Sequence, residues 1–511
     1  MYNDVHRHHQ HSAVTKLITT TPTNTASRGR IMDVAIVLTF FLSFLIFYKL
    51  IQKKRKLPPG IYSFPIAGAL PWMMIKKQSL IEIVKDDRKL YGNISRFPVF
   101  NFEIVVLNDA KLIKEMVGME QCGGRMGRMS EWKSGGRPRG LLDPDNTPFW
   151  KEQRRFVLKC LRDYGFGKKS EENIQEEAKS LVNHIFETND SQQDFYIKDI
   201  FNISVVNVIW KMVANETFAL DSKEGKRFVE IMEQVLTNRD PKASIPVLGK
   251  FTTVFRNRVK QISEIKAGLM KTINDHELSL DEAEPRDLID NYLLAIREGK
   301  EGFVKEELVV TIFDLFAAGS ETTSTTLRWA IIFLILNPET QRKCHRELDK
   351  IDSRIPGLTD MSLLPYCEAV ILEVLRVGCT APGTLPHKSH QNLELGGYTF
   401  PSQTLFIGNF MSTHFDPEYW SEPQQFMPER FLDGDGKIIK ELPNFFPFSL
   451  GKRVCLGESL AKMELFIFFT SILKSFKFSL PENHPVPNPE DFNIVVTKIP
   501  KPYFCKIEER L

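Results

Sequence analysis

The chain has 511 residues, 42% apolar and 26% charged, a globular composition with ample material for a large core. Its 67 basic and 64 acidic residues nearly balance, which argues against a whole-chain nucleic-acid binder or an acidic tail. Seven cysteines, thinly spread and without a C-x-x-C pair, exclude a disulfide framework and a zinc ribbon and suit a reducing compartment. By length alone the chain is roughly three domains or one large helical one.

Residues 1–30 are polar and irregular. Their histidines, His6, His8, His9 and His11, read as part of a disordered extension, because no partners that would orient ligating imidazoles accompany them. Val34 to Tyr48 then carries no charge, and Leu50 and Ile51 extend the run if Lys49 snorkels. That is slightly short of the roughly 20 residues that span a bilayer, yet within the tolerated range, so 31–51 is read as a membrane anchor helix. Lys53, Lys54, Arg55 and Lys56 follow without a small-residue cleavage site. This stop-transfer pattern favours a retained anchor over a cleaved signal and places the rest of the chain in the cytoplasm. Residues 52–68, with Pro58-Pro59-Gly60 and Pro65-Ile66-Ala67-Gly68, read as a stiff, bent connector, and 69–511 as the globular body. N-x-[ST] triplets at Asn93, Asn189, Asn202 and Asn215 would stay unused in a cytosolic domain.

The body is predicted to be mainly helical with a small β region. Phe201 to Phe218 and Phe228 to Val235 place apolar residues at three- and four-residue spacing. Lys305 to Leu336 is the longest such run, about 48 Å at 1.5 Å per residue, and Asn337-Pro338 stops it. The best strand signal is a hairpin within LELGGYTFPSQTLFIG, and a further apolar helix is expected from Glu458 to Phe476.

Ahead of that last helix lies Phe448-Ser449-Leu450-Gly451-Lys452-Arg453-Val454-Cys455-Leu456-Gly457. A loop thiolate before a helix is favoured by the helix dipole and by backbone N–H donors, and Arg453 adds a nearby cation. Any single cysteine is more often buried and inert. Here, however, the whole segment fits F-x-x-G-x-R-x-C-x-G and resembles the haem-ligand signature of the cytochrome P450 family, with no departure. In that family the thiolate is the iron ligand.

Other motifs carry the same resemblance. Glu373 and Arg376 form E-x-x-R on one helix face, and Pro428-Glu429-Arg430-Phe431 supplies the second arginine that the family folds against that pair. Trp150 and Arg154 fit W-x-x-x-R, and with His387 and Arg453 they resemble the partners of the haem propionates. Ala318-Gly319-Ser320-Glu321-Thr322-Thr323 matches [AG]-G-x-[DE]-T-[TS]. Gly319 is expected to remove a side chain where the cofactor or its ligand approaches the backbone, and Glu321 and Thr322 to relay protons. Taken singly, each of these has an ordinary reading as a core, loop or helix residue.

The resemblance covers about Ile31 to Leu511 and is nearest to animal microsomal members of the drug- and steroid-metabolising clan. The polar stretch before Met32 is the departure. It implies a haem-thiolate monooxygenase of the cytochrome P450 fold with an N-terminal transmembrane anchor. Such an enzyme sits in the endoplasmic reticulum membrane, single-pass, with its catalytic domain on the cytosolic face. It inserts one oxygen atom from O₂ into an apolar small molecule: a lipid, sterol or steroid, fatty acid or foreign compound. Its electrons would come from NADPH–cytochrome P450 reductase, with cytochrome b5 as a further candidate partner, and no nucleic acid is involved. Lys151, Arg155, Lys159 and Lys452 are candidates for the reductase face. Substrate contacts are expected around Gly118 to Leu142, Phe228 to Phe255, Thr380 to Leu385 and Asn493 to Lys498. A haem-thiolate isomerase or dehydratase, or a non-enzymatic haem sensor, are the alternatives.

Overall fold

The computed structural model describes residues 57–510 except 62, 65–66, 77–81, 84–86, 101, 128, 166–167, 190–193, 198–199, 238–249, 251 and 495; of the first 56 it describes only 36, 39–40 and 42–44. The chain divides into two units, Met1–Lys56 and Leu57–Leu511. In the first, the described residues are helical and expose Ile36, Phe40, Leu42 and Phe44. Among the described residues no helix is long and apolar enough to cross a membrane. The rest of the expected anchor, and the histidine-bearing extension, lie outside the described residues.

The second unit is mainly helical. Its principal helices are α1 (Ala110–Gly118), α2 (Pro148–Gly165), α3 (Lys168–Thr188), α4 (Asn202–Ala214), α5 (Lys223–Thr237), α6 (Thr253–Leu278), α7 (Leu288–Arg297), α8 (Lys305–Leu336), α9 (Pro338–Leu348), α10 (Pro365–Gly378) and α11 (Glu458–Ser475). The long run expected at 305–336 is α8, buried on nearly every side. Glu306 and Glu307 in its first turn complement the helix dipole, and Pro338 cannot continue it. α4, α6, α10 and α11 pack against it, so α8 is the axis of the core. α4 ends where Asn215 adopts a left-handed φ of 54°, short of the expected Phe218.

The strands are short. β1 (Ile94–Arg96), β2 (Ile104–Leu107), β4 (His387–Lys388) and β7 (Leu405–Gly408) form a sheet in the order β1-β2-β7-β4, with only β2 and β7 parallel. β3 (Phe195–Tyr196), β8 (Phe476–Ser479) and β11 (Phe504–Glu509) form a second, and β9 (Phe492–Ile494) pairs β10 (Lys498–Pro500). The expected hairpin is β5 (Leu393–Leu395) against β6 (Tyr398–Phe400). Gly396 and Gly397, at φ 58° and 78°, supply the two left-handed residues of a tight turn.

The connector expectation needs correction. The body begins at Leu57, and the Pro/Gly segment is laid on the sheet: Gly60 bridges Arg96, and Gly68 bridges Val99. A side chain at Gly60 would meet Arg96 O at 2.0 Å, so the glycine serves close backbone approach rather than bending a free linker.

Glu373, Arg376 and Arg430 form the buried network that the family resemblance implied. Arg376 Nε and Nη2 each donate to Glu373 at 2.7 Å, and Arg430 Nε donates to Oε1 at 3.1 Å. Arg376 also donates to the carbonyls of His414, Pro423 and Gln425, and Arg430 to those of Ser421, Glu422 and Gln425. Both guanidiniums lie over Trp420. One carboxylate serves both guanidiniums, backbone carbonyls take their remaining donors, and the long loop 415–432 is tied to α10.

Candidate functional site

The segment before α11 turns twice through left-handed backbone, at Ser449 (φ 62°) and Gly451 (φ 74°). A Cβ on Gly451 would lie 2.8 Å from Val117 O, so this glycine lets the loop seat against the end of α1. Cys455 N–H donates to Phe448 O at 2.9 Å, closing the loop and presenting the side chain. Of the seven cysteines Cys455 alone is exposed. Though reachable from outside, Cys455 is partly shielded from water by the protein around it, which with the Glu458 carboxylate raises its pKa, against which the Gly457 N–H and the Arg154 guanidinium favour the thiolate. Cys379 is the opposite case: it caps α10 in left-handed backbone, is buried, and burial pushes its thiol up to about 12.

Beside Cys455 the chain gathers three guanidiniums and one imidazole from four segments. Arg154 of α2 donates to Val454 O at 2.6 Å, and Arg453 donates to Gly123 O and Pro144 O. Arg125 donates to Pro386 O, and His387 Nδ1 to Cys122 O at 2.9 Å. Gly124 makes this convergence possible: it bridges Lys388, where a Cβ would meet Lys388 O at 2.7 Å. Burial lowers the pKa of Arg453 to about 9 and that of Arg125 to about 10, with Arg154 adding repulsion at each. His387 is held down to about 3 by burial and by Arg125 and Arg453. The Nε atoms of Arg125 and Arg453 are buried without a hydrogen-bond partner. Asp143 and Asp145 lie close, yet Asp143 accepts from Ser130, and Asp145 from Arg125 N–H and Lys388. Crowded guanidiniums with unused donors make a site for a ligand bearing carboxylates.

The sequence-predicted residues fall into two groups. Cys455, Arg154, Arg453, His387 and Trp150 come together. Trp150 departs from its expected role: its indole N–H donates to Leu141 O at 2.9 Å, and its ring is the platform for Arg453, 3.6 Å from the ring centroid. Gly319, Glu321 and Thr322 lie on α8. A Cβ at Gly319 would meet Ile209 Cδ1 at 2.5 Å, so the missing side chain also eases the crossing of α8 with α4. Ala318 is the exposed residue of that turn. Thr322 is half-buried and donates to Ala318 O at 2.9 Å, leaving its oxygen free to accept. Glu321 is buried and accepts from Thr325, a turn further along.

Sequence reasoning missed Arg125, a lone arginine after two glycines with no distinguishing spacing. It also missed the grip of α8 on the loop carrying Arg139 to Leu142. Glu307 accepts from Gly140 N–H at 2.6 Å, and Asp314 accepts from Leu141 N–H, Leu142 N–H and Lys133. Only the placement of Glu307 and Asp314 on one face of the long helix signalled it.

The family model for cytochrome P450 matches residues 58–507. This chain belongs to the cytochrome P450 family. Cytochrome P450 2L1 of Panulirus argus is 36% identical over 91% of this chain and 97% of its own length. Human cytochrome P450 2U1 is 34% identical over 88% and 90%, and rabbit (Oryctolagus cuniculus) cytochrome P450 2E1 is 34% identical over 89% and 92%. Among solved structures, a zebrafish cytochrome P450 with progesterone superposes with a TM-score of 0.76 at 28% identity, covering 85% of this chain and all of that one. Relatives of this kind are animal microsomal haem-thiolate monooxygenases, and haem bound through a cysteine thiolate is the cofactor of the family. The site fits that group: one accessible thiol stands beside guanidiniums whose spare donors suit its two propionates.

Proposed function

We propose that Cys455 is the axial thiolate ligand and that Arg125, Arg154, Arg453 and His387 hold the propionates, with Trp150 stacked beneath Arg453. The observation that supports this is the exposed Cys455 sulfur, under the Gly457 N–H and next to Arg154, at the edge of the cation cluster. When bound, the haem supplies dioxygen activation and the protein supplies orientation, protons and water exclusion. Thr322, whose own hydrogen goes to Ala318 O, can accept a hydrogen bond and so hold a proton donor in place. Glu321 is the acid from which that donor is replenished, its carboxylate held by Thr325.

The electrons are proposed to come from NADPH through the flavoprotein reductase, with cytochrome b5 as a second donor. Lys151, Arg155, Lys159 and Lys452 are all exposed, and the Glu120 carboxyl is held low first by Lys452 and then by Lys151, so these two cations share one patch beside the cysteine loop. An acidic partner would meet them there. The substrate is proposed to be apolar. The progesterone in the zebrafish structure favours a steroid among lipids, fatty acids and foreign compounds, and spin shifts of the haem across those classes would rank them. NADPH-dependent O₂ uptake with reductase is expected, and its absence would leave the isomerase or the sensor; retention of Glu321 and Thr322 favours the monooxygenase.

The chain is further proposed to be held in the endoplasmic reticulum membrane by residues 31–51, with the body cytosolic. Of the glycosylation triplets, Asn202 is buried in α4 and cannot report topology, whereas Asn93 and Asn215 are exposed. Sealed microsomes should leave both unglycosylated and the body open to added protease; a glycan on either would reverse the orientation.

A further inference from the structure

One buried carboxyl takes no part in the ion pairs or the site described above. Glu464 lies on α11, the helix that starts just past Cys455, and is 2% exposed. Its Oε2 accepts from Thr323 Oγ1 at 3.2 Å, and its Oε1 has no hydrogen-bond partner. Charged groups on the helices packed against α11 are engaged elsewhere. Glu177 of α3 faces Asn207 and Lys211, on α8 Glu321 accepts from Thr325 and Arg328 donates to Pro500 O, His345 of α9 faces Arg510 and Asp349, and on α10 Glu368 faces Lys462 and Glu373 its two arginines. None bears on Glu464, whose pKa burial pushes up to about 8 against the Thr323 bond alone. Burial therefore favours its uncharged form.

Thr323 directly follows Thr322. α8 and α11 meet largely through apolar surfaces, whose attraction is non-directional. A directional bond in a low-dielectric interior selects one setting, and fixing register is the best-attested use of a buried polar group. We infer that Glu464 is a positioning residue: through its hydrogen bond with Thr323 it sets α8 against the helix that starts at the cysteine loop, and so fixes where the Thr322 hydroxyl stands relative to Cys455. This deepens, and rests on, the reading of Thr322 as the proton-holding residue.

The test uses the haem-loaded full chain with Glu464→Gln, Glu464→Met, Thr323→Val and, as reference, Thr322→Ala. Infrared difference spectra of the wild type minus Glu464→Gln at pH 7 should show the C=O band of a protonated carboxylic acid, fading above about pH 8. An ionised-carboxylate band at pH 7 would overturn the assignment. With reductase, Glu464→Met and Thr323→Val should shift reducing equivalents from product to peroxide on the order of tenfold, because a 1 Å misplacement can cost about 10²-fold. Glu464→Gln, which keeps an acceptor for Thr323, should stay near the wild-type partition. Normal coupling in both Glu464→Met and Thr323→Val, alongside an uncoupled Thr322→Ala, would sink the inference alone. Normal coupling in Thr322→Ala would sink the proton-holding reading and the inference with it.

Discussion

Lys133 Nζ lies 2.8 Å from Asp314 Oδ1, and both side chains are 1% exposed. Asp314 also accepts the N–H groups of Leu141 and Leu142, so one carboxylate of α8 fastens the segment that precedes α2 and, through Leu141 O, the Trp150 indole. Asp314→Ala should therefore cost about 3–5 kcal/mol, because it strands a buried ammonium and two N–H groups. Lys133→Met with Asp314→Leu removes both charges yet still orphans Leu141 and Leu142. It should recover only part of that loss in calorimetric thermal midpoints taken at one scan rate. Full recovery would show that the charge pair alone mattered.

Cys455 and Cys379 give opposite expectations. With carbon monoxide, reduced Cys455→Ser should lose the red-shifted Soret band of thiolate ligation. Cys379→Ser should keep it, since that thiol is buried at the end of α10 with its pKa pushed up to about 12. Retention of the band in Cys455→Ser would move the ligand elsewhere.

Thr322→Ala should load haem and bind substrate normally yet divert reducing equivalents to peroxide, within the range of about 10²–10⁴ that a positioned acid contributes. Thr322→Ser keeps an oxygen that can bond Ala318 O and should be far milder. Peroxide and product are measured together against NADPH consumed. Equal coupling in Thr322→Ala and the parent would leave Thr322 a helix residue only.

His276 has both ring nitrogens against acceptors, Nδ1 at 2.9 Å from Thr272 O and Nε2 at 3.0 Å from Asp287 Oδ2, which suits the imidazolium. Burial opposes that charge, but the bond to Asp287, the charge of Asp287 and the Thr272 carbonyl together raise the pKa; Asp290, nearby, is paired with Arg286. A raised folded-state pKa means the stabilisation is fully present below the unfolded value of about 6.5 and is lost as pH rises through the folded one. His276→Gln should cost about 1.5–3 kcal/mol at pH 6, and the gap to the wild type should narrow at alkaline pH. A gap independent of pH would show that the ring acts neutral, through packing.

Much of this protein was legible in the residue order because it is local. The Phe448–Gly457 loop, the E-x-x-R turn of α10, the glycine pair of the β5–β6 hairpin and the full extent of α8 each depend on neighbours within a few residues, where backbone preference and side-chain period decide. The tertiary structure decided what depends on partners far away in sequence. Arg125 becomes part of the site only because Gly124 pairs with Lys388. Trp150 finds its acceptor in Leu141, a loop that Asp314 holds in place. Gly319 faces Ile209 because two helices cross there, and the Pro/Gly segment after Leu57 joins the sheet because β1 offers it an open edge. Hydrogen-bond partners and close approaches of that kind follow from three-dimensional proximity, which residue spacing along the chain does not encode.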